Sequence, residues 1–204
     1  MTNPQDDTGH AVLDGAAGDL LFRAARTAST FTDEPVGDEQ VRAIHELVKW
    51  GPTSMNVQPL RVVLVRTPEA RQRLVDQLMP GNKDKTSRAP LVAVLAADHG
   101  FDEHLPVVFP NAPWVGALFA DQAVRDRTAE FNAGIQVGYF ILGVRAVGLA
   151  AGPMSGFDAD GINREFFPDG RHRVLAVVNI GRPGPDAWRE RLPRLAYEQV
   201  VTSV

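Results

Sequence analysis

The 204-residue chain contains no cysteine. That absence removes disulfide frameworks, thiolate metal sites, thiol nucleophiles and thiol redox switches, so any redox chemistry must be borrowed from a cofactor. Positive charge is also scarce: 21 Lys and Arg against 25 Asp and Glu leave a net charge of −4. Nucleic acid and anionic membrane surfaces call for a clustered basic face, so neither is an expected partner. No apolar run reaches the ~20 residues of a membrane span; the most apolar segment, residues 134–151, is interrupted by Gln136 and Arg145. The first residues, MTNPQDDTGHAVLDGAAGD, lack the basic and apolar regions of a secretory signal, so the expected location is cytoplasmic. The five histidines never pair at i, i+4, and no metal site is expected. Ser155 lacks the flanking glycines of a nucleophile elbow, and no Walker lysine or Gly-x-Gly-x-x-Gly motif occurs.

What the chain does have is 44% apolar and 23% charged residues, the composition of an ordinary globular domain. At this length folding buries roughly 70% of the surface of the unfolded chain, enough for one core. Residues 1–18 read as a flexible tail and 19–204 as one domain. Within it, 20–28 has a helical composition, and Asp38-Glu39 opens an apolar stripe at helical spacing that Gly51-Pro52 ends. Arg61 to Val65, Leu91 to Ala97 and Arg173 to Ile180 read as strands, and Pro68 opens a helix to Met79. Residues 98–113, with three prolines, predict a long irregular excursion, and Phe101, Phe109 and Trp114 make it a candidate substrate cover. From Arg125 to Val147 a helix has almost no polar face, which predicts burial all round and a subunit interface on part of it. The expected architecture is α+β, a small sheet covered by helices.

Five segments carry candidate binding chemistry. Arg26, Thr27 and Ser29 at a helix end could chelate a phosphate or cap a solvated terminus. Between Gly51 and Pro59, two prolines enclose Thr53, Ser54, Asn56 and Gln58, donors and acceptors suited to the edge of a planar heterocycle. Pro80 to Lys85 reads as a turn followed by a cation. Gly152 to Gly156 reads as a loop whose glycines either admit a flat ligand or simply close the long helix. The basic run 188–194 is a phosphate site or a surface strip.

Taken in order, ARTAST-F, GPTSMNVQP-RVVLV, PGNKDKT-AP, GLAAGPMSGFD, REFFPDG and NIGRP with RLPRL resemble the nitroreductase family of FMN flavoproteins, and within it the malonic semialdehyde reductase branch. The resemblance runs from about Leu20 to the C-terminus. It implies a nitroreductase-like fold with a mostly antiparallel sheet, an intertwined homodimer, and FMN at each subunit interface. By position it implies that Arg26, Thr27 and Ser29 lie at the phosphate, with Arg191 and Arg194 completing that site. Pro52, Thr53, Ser54 and Asn56 would line the flavin from the other subunit, and Asn82 and Lys85 would reach its pyrimidine edge and ribityl chain. Pro153, Met154, Ser155 and Gly156 would lie along the ring, the Ser155 N–H approaching N5. Residues 28–29 are Ala-Ser where that branch usually has His-Asn, and Val57 stands where it commonly has Cys.

The resemblance implies hydride transfer from NADPH or NADH through the flavin to a small aldehyde acid, malonic semialdehyde, giving 3-hydroxypropionate. The nearest alternative changes the acceptor to a nitroaromatic or quinone. A third is a non-catalytic protein that stores or senses FMN.

Overall fold

The computed structural model describes residues 12–204. Of the expected tail, residues 1–11 lie outside the described residues, while Gly15–Gly18 forms a short helix, α1, whose N-terminal Ala17 N–H is capped by Asp14. The expected helix over 20–28 shrinks to one wide turn, Asp19–Arg23. Its continuation is spent elsewhere: the Ala28 N–H donates to Ala151 O and the Ser29 N–H to Ala187 O, so no helix runs through 25–29.

The remaining helices are α2 (Asp38–Val48), α3 (Pro68–Asp76), α4 (Pro80–Ser87), α5 (Leu105–Val108), α6 (Gln122–Ala146), α7 (Ala159–Phe166) and α8 (Tyr197–Val200). The strands are β1 (Leu60–Val65), β2 (Leu91–Asp98), β3 (Ala150–Met154) and β4 (His172–Gly181), in the order β1-β2-β4-β3 with every pair antiparallel. All eight residues of β2 are buried. Alternation along it divides the core: Leu91, Ala93 and Leu95 pack with Ile44 of α2 and Phe140 and Val144 of α6, while Val92, Val94 and Ala96 pack with Leu74 of α3 and Ile162 of α7. The sheet is therefore covered on both faces, the α+β layering expected.

One expectation changes. Residues 98–113 do not form an irregular excursion. A 3₁₀ turn at Phe101–His104, α5, and a second 3₁₀ stretch at Pro113–Phe119 fold back onto α6. Pro106 and Pro113 occupy first-turn helical positions, where a missing N–H costs nothing. Phe101, Leu105, Val115 and Phe119 are buried with Ala129 and Ala133, and the Phe101 and Phe119 rings meet edge to face at 4.9 Å. Phe101 is thus a core residue and no part of a cover, whereas Trp114 is 66% exposed.

Within the single chain the long helix is not buried all round, and the expected subunit interface is what would cover the rest. Phe131 is 65% exposed, and a Cβ added at Gly134 or Gly138 would meet nothing. These three positions recur at helical spacing and form an uncovered apolar strip on the single chain. The C-terminus of α6 is closed by Gly148 at φ +78°, with the Gly148 N–H to Arg145 O and the Leu149 N–H to Val144 O, a Schellman arrangement. Among the described residues no helix is long and apolar enough to cross a membrane.

The end of β2 is held by a buried charge. Asp98, 1% exposed, forms an ion pair with Arg61 at 2.7 Å and accepts from Arg171 at 2.6 and 3.0 Å and from the Gly100 N–H at 2.9 Å. Burial alone would raise its pKa, but Arg171, the Gly100 N–H and Arg61 outweigh it and hold the carboxyl below the ordinary value of 3.8. A carboxyl depressed in the folded state contributes stability above its unfolded pKa and loses it as pH falls through the folded value. Asp98→Asn should therefore cost about 3 kcal/mol at neutral pH by removing the buried charge that Arg61 and Arg171 share. The cost should shrink in acid, where the native protein loses the same interaction; urea unfolding at neutral and acidic pH measures both, and an equal cost at the two would contradict this role.

Candidate functional site

A cavity of about 720 Å³ forms where the N-terminal segment, α4 and the C-terminal arm converge. Backbone pairing brings the first and last of these together. The Thr32 N–H donates to Arg182 O and the Gly184 N–H to Thr30 O, and Phe31 bridges Pro183. Side chains tighten the seam: Arg26 donates to Arg189 O at 3.3 Å, and Arg191 donates through Nη2 to Arg23 O and Ala25 O at 2.7 and 3.1 Å.

The third wall is α4, where the sequence suggested a turn. Pro80 sits in its first turn, and Asn82 and Lys85, three residues apart, share a side. Its far end is anchored by Arg71 of α3, whose guanidinium donates to Thr86 O at 2.9 Å and Ala89 O at 2.6 Å. Thr86 itself is fully buried and accepts from Asn179 of β4 at 3.1 Å. Lys85 is thereby carried on a helix fixed to the sheet.

The expected phosphate ligands Arg26, Thr27, Ser29, Arg191 and Arg194 all line this cavity, as does Lys85, expected at the pyrimidine edge and ribityl chain; Asn82, expected beside Lys85, does not line it. Arg194 turns part of its guanidinium onto its own stretch of backbone, Leu192 O and Pro193 O. Sequence reasoning missed Thr30, Arg88 and Arg189, which line it too. Arg189 lies in the basic run already singled out; Arg88, three residues beyond Lys85, could have been found only by reading as a helix the segment that the sequence suggested was a turn. The cations crowd one another. Burial, and then the charge of Arg189, pushes the Lys85 ammonium below its ordinary 10.5, and burial, then Arg191, lowers Arg145 in the same way. Cations that repel one another around a polar cavity bind an anion favourably, because the anion removes that repulsion.

Two expected groups stand elsewhere. Pro52, Thr53, Ser54 and Asn56 do not line the cavity. Their loop, a 3₁₀ turn at Ser54–Asn56, packs on α6 and α5: the Ser54 N–H donates to Asn132 at 2.8 Å, Asn56 to Val108 O at 2.8 Å, and Tyr139 to Pro52 O at 3.2 Å. Met55, Asn56 and Gln58 take φ values of 48°, 54° and 43°, a left-handed cluster of non-glycine residues that costs energy and is typical of a binding loop. Pro153, Met154, Ser155 and Gly156 do not line the cavity either. Gly152 to Met154 belong to β3 and not to a loop. Gly152 leaves no room for a ligand, since a Cβ there would stand 2.7 Å from Ala28 O; at Gly156 a Cβ would stand 2.7 Å from Asn82 Nδ2. Both glycines admit the protein's own chain. Gly156 O instead accepts from Asn82 at 2.8 Å and from the Met79 N–H at 3.0 Å, which clips the exposed Ser155 beside α4.

The donor set fits the phosphate end of FMN: guanidiniums, an ammonium and hydroxyls around a cavity within the ~300–1,000 Å³ range of ligand sites. The groups expected at the ring are not part of that cavity in one chain.

The model of the "Nitroreductase family" matches residues 22–182. A Streptomyces coelicolor protein provisionally named NADH dehydrogenase/NAD(P)H nitroreductase is 61% identical over 194 residues, 95% of this chain and 98% of its own. A Leptothrix cholodnii protein with the same provisional name is 43% identical, with 91% and 95% covered. Among solved structures, a provisionally described nitroreductase from Exiguobacterium sibiricum, in complex with FMN, has a TM-score of 0.83 at 17% identity, with 95% of this chain and 99% of that one covered. The family match spans both the cationic cavity's N-terminal wall and the sheet beneath it, and the chain belongs to the nitroreductase family.

Proposed function

We propose that this protein is an NAD(P)H-dependent FMN oxidoreductase whose acceptor is a small aldehyde acid such as malonic semialdehyde, reduced to 3-hydroxypropionate, and that it works as a homodimer. The cation-lined cavity carries the reading of the cofactor, because it places Arg26, Lys85 and Arg191 around one volume. The order of GPTS-N-QP, PGN-KT, GPMSGFD and EFFPDG supports the acceptor. FMN, when bound, accepts two electrons from a reduced nicotinamide and delivers them to the acceptor.

The chain's own residues bind, orient and tune. Arg26 and Arg191 neutralise the phosphate, with Thr27 and Ser29 adding hydroxyl donors. Lys85, held on α4 by Arg71 and Asn179, presents positive charge where anionic charge develops on reduction. Ser155 and Gly156 supply backbone without a competing acid or base, at a height set by Asn82. The loop of Pro52, Thr53, Ser54 and Asn56 completes the site from the second subunit. The dimer reading rests on two observations: the uncovered strip of Phe131, Gly134 and Gly138, and a strained polar loop that does not line the cation-lined cavity of its own chain.

A nitroaromatic or quinone acceptor is the second reading, favoured by the names of the relatives. The purified protein should be yellow and should bleach when NADPH or NADH is added without oxygen; a bound flavin that stays oxidised would mark a storage or sensor protein. Its kcat/KM for malonic semialdehyde should exceed that for nitroaromatics, and the reverse order would select the second reading.

Arg26→Ala should raise the Kd for FMN at least tenfold, in line with the ~1.5–3 kcal/mol of a charged hydrogen bond, as read by quenching of flavin fluorescence. An unchanged Kd would remove Arg26 from the site. Because burial and Arg189 lower the Lys85 pKa from 10.5, the ammonium is lost at a lower pH than for a free lysine. FMN binding should therefore weaken as pH rises from neutrality toward 10.5, and Lys85→Arg, which keeps its charge, should flatten that slope. A flat wild-type profile would show that Lys85 does not hold the anion.

A further inference from the structure

Residues 54–60 are pinned at both ends by side-chain amides of one helix. Asn132 Oδ1 accepts from the Ser54 N–H at 2.8 Å, and Gln136 Oε1 accepts from the Leu60 N–H at 2.9 Å. The two amides stand four residues apart on α6, so they share a side of it. Between the pinned ends lie Met55, Asn56 and Gln58, all in the left-handed region. Asn56 donates to Val108 O of α5 and accepts from the Gln58 side chain at 2.9 Å, while the Gln58 N–H donates to the Thr53 hydroxyl at 3.3 Å. A conformation this unfavourable persists only where its surroundings over-determine it, and such strain clusters at sites that bind or react.

Asn132 is the anomaly in this arrangement. It is 1% exposed, on the stretch of α6 that carries the core residues Ala129 and Ala133. Asparagine is a poor helix former and a buried amide is costly unless hydrogen-bonded, so an apolar residue would serve the helix better. What Asn132 gains is direction: its Nδ2 donates to Thr128 O at 2.9 Å, which aims Oδ1 at the Ser54 N–H. α6 also carries the uncovered strip of Phe131, Gly134 and Gly138. Fixing the loop to α6 therefore fixes it relative to the face assigned above to the second subunit.

We infer that Asn132 and Gln136 form an amide clamp that sets the loop of Thr53, Ser54 and Asn56 in its flavin-binding conformation before the flavin arrives. They are positioning residues, each acting through a backbone N–H at one end of the loop. The inference rests on the reading above, in which this loop meets the flavin of the second subunit. A loop already ordered does not have to be ordered by the ligand, so the clamp strengthens binding. It acts at the ring end alone, because the cations that hold the phosphate line a separate cavity.

The test compares Kd values for FMN and for riboflavin, which lacks the phosphate. Asn132→Leu should raise both by the same factor, about fivefold for the loss of one hydrogen bond, whereas Arg26→Ala should raise only that for FMN. Gln136→Met, which keeps the size but removes the acceptor, should raise both by about threefold, and Gln136→Glu, which keeps an acceptor oxygen, should stay within about twofold of the wild type. Phe119→Leu loosens the core under α6 without removing a bond to the loop, so it should lower Tm and leave both Kd values unchanged. The inference is overturned if the clamp variants lower Tm alone, if Phe119→Leu raises Kd as much as they do, or if only the FMN value moves. Should Asn132→Leu fail to fold, the Gln136 pair decides by the same criteria. A wild-type protein that takes up no flavin defeats the oxidoreductase reading and the clamp with it, and its absorption spectrum shows that before any variant is made.

Discussion

The structure depends on the complete burial of β2. Eight successive residues with no solvent on either side require helices on both faces of the sheet, and alternation along the strand sends Leu91, Ala93 and Leu95 to one layer and Val92, Val94 and Ala96 to the other. Removing that much apolar surface from water supplies the main driving force for the fold. It also sets a geometric condition, because a backbone buried on both faces must satisfy its polar groups within the sheet. β1 and β4 meet it on either side, and the charged end of the strand is closed by Asp98 between Arg61 and Arg171.

From that frame the cationic site follows by two attachments. β4 leads into the C-terminal arm, which returns alongside residues 28–32, so that cations separated by most of the chain converge. α4 is tied to the sheet through Thr86 and Asn179 and to α3 through Arg71, which gives Lys85 a fixed position among the arginines. Burial, and after it the charge of Arg189, lowers the pKa of Lys85, and an anion bound among these cations relieves their mutual repulsion. The mild acidity of the whole chain is compatible with this, since the positive charge is concentrated and the rest of the surface carries the acid.

Much of this was legible in the chain. The strands at 61–65, 91–97 and 173–180 announce themselves as short apolar runs between turn residues, and α2 by its acidic first turn and apolar stripe. The expected phosphate residues do share one cavity. Other features were hidden for physical reasons. Proline marks both irregular chain and the first turn of a helix, so 98–113 looked like an open loop until Phe101, Leu105 and Phe119 were seen to pack on α6. Glycine marks close approach without saying by what, so Gly152 suggested a ligand where the chain's own Ala28 stands. Arg88 and Arg189 carried no motif; only the convergence of α4 with the arm makes them part of the site.

By itself, then, the sequence determined the class of chemistry and the local elements. Without cysteine the protein has no redox group of its own, and periodicity, turn residues and the ordered motifs specify where helices and strands lie. Those properties depend on neighbours in the chain, within reach of local sterics and hydrogen bonding. The tertiary structure alone decided which cations face one cavity, which glycines are filled by backbone, and which strip of α6 remains uncovered. These depend on residues far apart in sequence, brought together by burial of β2 and the return of the C-terminal arm, and no local rule encodes that encounter.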